Sequence, residues 1–258
     1  MGRTRVKICG ITSPQDAWIA AAAGADAIGL NLVGGPRKID IKTAAAILQV
    51  LPPLVCPVAL INMDPEQCGD EFNTLRERLT IRNFQLYGSL NEIGFSAGII
   101  AATGLWPVAR VAAKADVMNL ATRMRQWDFP PGAIVLDAFS PEKQGGAGMA
   151  FDWNWIAEAR AAGILDQLPP LVLGGGLNPD NVGEAIRIAR PWAVDVSSGV
   201  EIPSQPGKKD MVRLQAFMQA VGAQATLPES SAPESCRECH AASLPPSAAS
   251  RAGIAPLK

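Results

Sequence analysis

Eight short, β-prone apolar runs alternate with helical patterns along this chain, and that alternation constrains its fold more than any other feature. The runs are RVKIC (5–9), DAIGLNL (26–32), VCPVALI (55–61), IRNFQLY (81–87), WPVARV (106–111), AIVLDA (133–138), LPPLVLGG (168–175) and WAVDVS (192–197). Helical patterns lie near 14–23, 41–50, 65–79, 92–103, 114–127, 152–162, 179–189 and 207–221. Strands that alternate with helices build a parallel sheet with crossover helices. Eight such units in about 220 residues predict an α/β chain folded as a single-domain (β/α)8 TIM barrel. Apolar residues make up 48% of the sequence, ample for such a core.

Local signals agree. Ser13-Pro14, Asp64-Pro65 and Asn178-Pro179 each put a capping side chain before a proline at an expected helix start. Gly24 and Gly163 fall where helices should stop. Ala, Ser and Pro make up more than half of residues 226–258, and neither helical nor strand periodicity continues there. The expected division is a barrel over 1–222 and a disordered Ala/Ser/Pro-rich tail over 223–258, with too little apolar surface to fold alone.

The formal net charge of −1 argues against a nucleic-acid binder. No run of 18 or more apolar residues suggests a membrane span, and no signal-peptide pattern opens the chain. Five scattered cysteines, Cys9, Cys56, Cys68, Cys236 and Cys239, read as reduced thiols of a cytoplasmic protein. The single histidine, His240, lies in the tail. A histidine-based triad, zinc site or general base is therefore not expected in the barrel. Acid–base work falls to Cys, Asp, Glu, Lys or the single tyrosine, Tyr87. The string Cys236-Arg-Glu-Cys239-His240 matches a c-type haem attachment pattern, but its setting offers no apolar pocket, and a chance occurrence is the better reading.

In a parallel barrel, reactive groups gather where the strands end. Strand 1 ends in Cys9-Gly10, strand 2 leads to Arg37, and strand 6 ends in Asp137. Strand 7 ends in Gly174-Gly175-Gly176, and strand 8 in Asp195-Val196-Ser197-Ser198-Gly199. Gly175 and Gly176 with Ser197, Ser198 and Gly199 form candidate phosphate loops, because glycine lets backbone N–H groups approach an anion. Cys56 and Cys68 read as core, and Asp152 as a helix cap.

These residues resemble those of the phosphoribosylanthranilate isomerase family of tryptophan biosynthesis. The matching stretches are KICGIT (7–12), GADAIGLNL (24–32), GPR (35–37), FQLYG (84–88), VLDAF (135–139), GGAG with FDW (145–153), LGGGLNPDNV (173–182), VDVSSGVE (194–201) and PGKKD (206–210). The resemblance implies an Amadori rearrangement of N-(5-phosphoribosyl)anthranilate, with no metal and no redox cofactor. It implies Cys9 as general base and Asp137 as general acid. It implies Arg37, Asp195 and Tyr87 as substrate-binding residues, Arg37 suiting the anthranilate carboxylate or the reacting centre. The implied partner is a phosphorylated small molecule, and contact with other tryptophan-pathway enzymes is left open.

The pKa demands are opposite. Cys9 should be helped toward thiolate by Lys7, Arg37 or the first helix, and Asp137 should be pushed upward by burial or a neighbouring carboxylate. Two departures stand out. Tyr87 occupies the family's usual His position, and strand 3 reads VALI instead of VGVF, so Ala59 and Ile61 are expected to reshape the anthranilate pocket. The alternatives are a related aminoaldose isomerase with altered substrate range and a non-catalytic phosphate-binding barrel.

Overall fold

The apolar runs pair in chain order into a closed parallel barrel, β1 to β8, with β8 hydrogen-bonded back to β1. This is a computed structural model, describing residues 3–62, 72–88, 104–125, 131–138, 150–166 and 168–224. The strands are β1 (Arg5–Ile8), β2 (Ala27–Asn31), β3 (Cys56–Asn62), β4 (Asn83–Tyr87), β5 (Gly104–Val111), β6 (Ile134–Ala138), β7 (Leu171–Leu173) and β8 (Ala193–Val196). The α-helices are α1 (Pro14–Ala22), α2 (Ile41–Val50), α3 (Lys114–Met118), α4 (Leu120–Met124), α5 (Asn154–Ala161), α6 (Val182–Ala189) and α7 (Met211–Gln224). A π-helical turn spans Thr74–Arg78, and a 3-10 turn spans Ser198–Val200.

Successive side chains on a strand point to opposite faces, so alternate residues look into the barrel. Val58, Trp106, Val108, Val135 and Val172 pack together there. Their neighbours Ala59, Ile61, Phe84, Leu105, Ile134 and Leu173 join a larger core with the helices. This corrects the expectation for strand 3. Ala59 and Ile61 are buried in that outer layer, whereas Leu60 and Asn62 line the cavity. The VALI departure therefore alters packing beneath the helices instead of the wall facing the cavity.

The helix signals are met unevenly. Ser13 accepts a hydrogen bond from the Asp16 N–H at 3.1 Å and caps α1 as expected. Asn178 accepts from the N–H groups of Asp180 and Asn181 at 2.9 and 3.2 Å. It caps a turn, and α6 begins only at Val182. The helix expected over 114–127 divides into α3 and α4 at Asn119. Asn is a weak helix former whose side chain competes with backbone bonds. Helices α1 and α5 stop just before Gly24 and Gly163, as expected. Asp152 accepts from the Asn154 N–H at 2.9 Å, consistent with a capping role at the start of α5. Helix α7 runs two residues past the expected barrel boundary, to Gln224. The expected Asp64-Pro65 cap, the helix over 92–103, Cys68 and the chain from 225 onward, with its Cys236–His240 string, lie outside the described residues. No helix among the described residues is long and apolar enough to cross a membrane.

Candidate active site

The inward parity of the strand ends places Cys9, Asp137, Asp195, Tyr87 and Arg110 around a single cavity of about 480 Å³. That volume suits one small-molecule ligand. Gly175, Gly176, Ser197, Ser198 and Arg37 complete its rim.

Two residues below the cysteine, Lys7 is only 2% exposed. Its ammonium donates to both oxygens of Asp195 at 2.9 Å, and strand register sets the two residues side by side. The same ammonium interacts with the Cys9 thiol. Gly29 makes this possible: a Cβ there would stand 2.7 Å from Cys9 Sγ and 3.1 Å from Lys7 Nζ. Burial pulls Lys7 downward, but Asp195 and Cys9 outweigh it and leave its pKa raised.

Burial also dominates at Cys9, pushing the thiol above its ordinary value, with Asp195 adding to the rise. Lys7 and Lys209 oppose the shift without cancelling it. The expectation of a thiol already helped to thiolate is thus corrected. The cations are present, yet desolvation wins while the thiol has only protein around it.

The upward shift expected at Asp137 is present. Burial first, and Asp195 second, push its pKa up to about 6, while Arg110 pulls the other way. Strand register pairs Arg110 with Asp137. A Cβ on Gly174 would stand 3.7 Å from Asp195 Cβ and 3.8 Å from Asp137 Oδ1, so both acidic residues flank that glycine.

Tyr87 Oη accepts a hydrogen bond from Gln85 Nε2 at 3.0 Å. Burial, then the nearby Asp137, Cys9 and Asp195, hold its pKa well above the ordinary value, so it remains a neutral phenol. Arg37 donates from Nε and Nη2 to the two oxygens of Glu201, each at 2.7 Å. Its guanidinium is therefore fixed before any ligand arrives.

The loops after β7 and β8 converge on the other side of the cavity. Gly175 has φ +82°, a backbone region that suits glycine, and an added Cβ would strike Ala138. The N–H groups of Gly175, Gly176 and Ser198 donate to no acceptor among the described residues. Ser197 Oγ is buried, and it too lacks a partner among them. Gly199 differs from its neighbours: it does not line the cavity, and a Cβ there would collide with the Leu177 carbonyl. Its role is to let the two loops pack against each other.

Sequence reasoning missed Lys7 as partner of Asp195, Glu201 as partner of Arg37, and the cavity-lining Asn31, Arg110 and Arg123. Strand parity could have found Arg110 and Asn31. The ion pairs join residues 188 and 164 positions apart, and local pattern carries no signal of them. Among the described residues, no three His, Cys, Asp or Glu side chains are grouped to hold a metal ion.

Residues 6–220 match the family model described as N-(5'-phosphoribosyl)anthranilate (PRA) isomerase. The chain belongs to this family. A PRA isomerase from Neisseria meningitidis serogroup B is 40% identical over 223 residues, covering 84% of this chain and 96% of its own. The solved PRA isomerase from Thermotoga maritima superposes with a TM-score of 0.69 at 32% identity, covering 85% of this chain and 99% of that one. A further PRA isomerase structure, in complex with reduced 1-(o-carboxyphenylamino)-1-deoxyribulose 5-phosphate, has a TM-score of 0.66 at 29% identity, with coverage of 85% and 99%. Membership in the PRA isomerase family and the barrel architecture agree with the sequence reading.

Proposed function

We propose that this chain isomerises N-(5-phosphoribosyl)anthranilate to 1-(2-carboxyphenylamino)-1-deoxyribulose 5-phosphate in tryptophan biosynthesis, with Asp137 as general acid and Cys9 as general base. The observation that carries the assignment of roles is the single cavity that holds both groups, with the carboxyl already raised to about 6. A carboxyl in that range retains its proton at near-neutral pH far more often than an ordinary aspartate.

The chemistry follows from these positions. Asp137 protonates the furanose ring oxygen as the C1′–O bond breaks, and the nitrogen lone pair forms a C=N bond to C1′. Cys9, as thiolate, then removes the proton from C2′. The C2′–H electrons form C2′=C1′, and the C=N electrons return to nitrogen. The resulting enolamine becomes the ketone when C1′ gains a proton and the C2′ hydroxyl loses one. Protons are conserved, and no electrons leave the substrate.

Lys7, beside the thiol, stabilises its negative charge while that charge exists. Asp195 holds Lys7 in place and, in this proposal, orients the substrate amine. Tyr87 offers a neutral hydroxyl near the reacting atoms. The amides of Gly175, Gly176 and Ser198, which donate to no acceptor among the described residues, together with Ser197 Oγ, receive the phosphate. Binding energy from that distant group can then orient the sugar. A cytoplasmic location belongs to the same reading, supported by the free thiols Cys9 and Cys56.

The test follows the fluorescence of phosphoribosylanthranilate generated in place from anthranilate and phosphoribosyl pyrophosphate by a separate transferase. Rapid loss of substrate fluorescence on adding the protein is expected. No turnover by folded protein would discard the assignment, and faster turnover of a different aminoaldose would favour an altered substrate range. We further propose that residues 226–258 take no part in the reaction. Removing residues 226–258 is expected to leave turnover and thermal midpoint unchanged, and a fall in either would give that segment a role.

A further inference from the structure

Glu201 lies just beyond the residues that line the cavity, yet it organises one of them. It is 5% exposed and packed between two cations. Arg37 engages both of its oxygens at 2.7 Å. Lys209, 3% exposed, donates to Oε1 at 2.9 Å. The remaining donor capacity of that ammonium goes to the carbonyls of Cys9 at 2.7 Å and Ser197 at 3.2 Å. The Lys209 backbone N–H donates to Asp16 Oδ1 at 2.9 Å, and Asp16 accepts in turn from the Ser13 hydroxyl. Glu201 therefore stands on a support anchored to the ends of β1 and β8 and to the first turn of α1.

Two consequences follow from the bond pattern. A planar guanidinium held through Nε and Nη2 loses most of its freedom to swing. Nη1 of Arg37 makes no bond among the described residues, and Arg37 is on the cavity wall. The cluster of Arg37, Glu201 and Lys209 also carries one net positive charge, so clamping does not cancel the attraction for an anion.

We propose that Glu201 is a positioning residue that presents Arg37, through its fixed guanidinium, to the carboxylate of the anthranilate ring. The inference rests on the reading of Arg37 as the group that receives that carboxylate. Glu201 itself touches no reacting atom. It limits which substrates bind well by fixing where a carboxylate must lie.

The experiment measures binding of two reduced product analogues to the full-length protein. One is reduced 1-(o-carboxyphenylamino)-1-deoxyribulose 5-phosphate, and the other lacks the ring carboxyl. Glu201→Gln is expected to weaken the first by about tenfold and the second by less than about twofold. It should add nothing further in an Arg37→Lys background, because both changes remove the same arrangement. Glu201→Asp, which keeps the charge but is one methylene shorter, should give an intermediate loss confined to the carboxylated analogue. This second variant serves as the test if Glu201→Gln fails to fold. Equal weakening of both analogues, or additive losses with Arg37→Lys, would make Glu201 merely structural and overturn the proposal. If Arg37→Lys weakens the carboxylated analogue and the Glu201 variants do not, the reading of Arg37 stands and this inference alone falls. If Arg37→Lys itself changes nothing, the reading of Arg37 fails and takes the inference with it.

Discussion

Replacing Cys9 with Ala is expected to lower kcat by about 10²- to 10⁴-fold while leaving the barrel folded. The thiol is a small group near the top of the barrel, and its removal leaves the Lys7–Asp195 pair intact. The pH profile of kcat/KM carries the more specific test. The parent should give a bell. Below about pH 6 both Asp137 and Cys9 are protonated, so the rate falls for want of a base. Above the raised pKa of Cys9 both are ionised, and the rate falls for want of an acid. Between these limits one proton is shared by the pair, and the productive form has it on Asp137. That form is the minority one, because the carboxyl has the lower pKa. In Asp137→Asn the limb near pH 6 should vanish from whatever activity remains. A Cys9→Ala enzyme with near-parent kcat would remove the thiol from the mechanism, and persistence of the acidic limb in Asp137→Asn would assign that limb to another group.

The second large effect is on stability, and its sign is opposite to the effect on activity. Asp137 has a folded-state pKa of about 6 against an ordinary 3.8. A raised carboxyl pKa means that the folded state holds a proton that the unfolded chain has released. Stability therefore falls as pH rises from about 4 toward about 6, and the full penalty applies above that. At about 1.4 kcal/mol per pKa unit, the penalty is of the order of 3 kcal/mol. Asp137→Asn removes the charge and keeps the shape. It is expected to raise the urea midpoint at pH 8, with a gain of about 1–3 kcal/mol, while abolishing most turnover. At pH 4 the gain should shrink toward zero. A variant no more stable than the parent at pH 8 would mean that the ionised carboxyl is better solvated than its buried position implies.

Much of the architecture was legible because it is local. Each strand announces itself by a few apolar, often β-branched residues, and eight such runs close into a ring in chain order. Cys9 and Asp137 were legible for the same reason: each ends a run, and strand ends face one mouth. The error over Ala59 and Ile61 came from treating a motif as a block instead of splitting it by alternation. In β3 the inward positions are Val58, Leu60 and Asn62, with the other parity under the helices. The thiol was misjudged because cations are visible in a sequence and desolvation is not. Glu201 went unread because its partners are Arg37 and Lys209, brought to it by the return of the chain after β8. Asn178 shows a smaller limit of the same kind. Its capping chemistry was right, but the segment it caps is a turn before the helix.

The seam between β1 and β8 bears on the order in which the protein becomes competent during synthesis. Cys9 is made with the first strand, while Asp195 comes only with the eighth and Lys209 after it. Until then the growing chain carries the thiol without the groups that hold Lys7 and the Cys9 carbonyl in place. Only when the eighth strand closes the ring does the first one acquire its chemistry. An incomplete chain has the thiol but not the cavity around it.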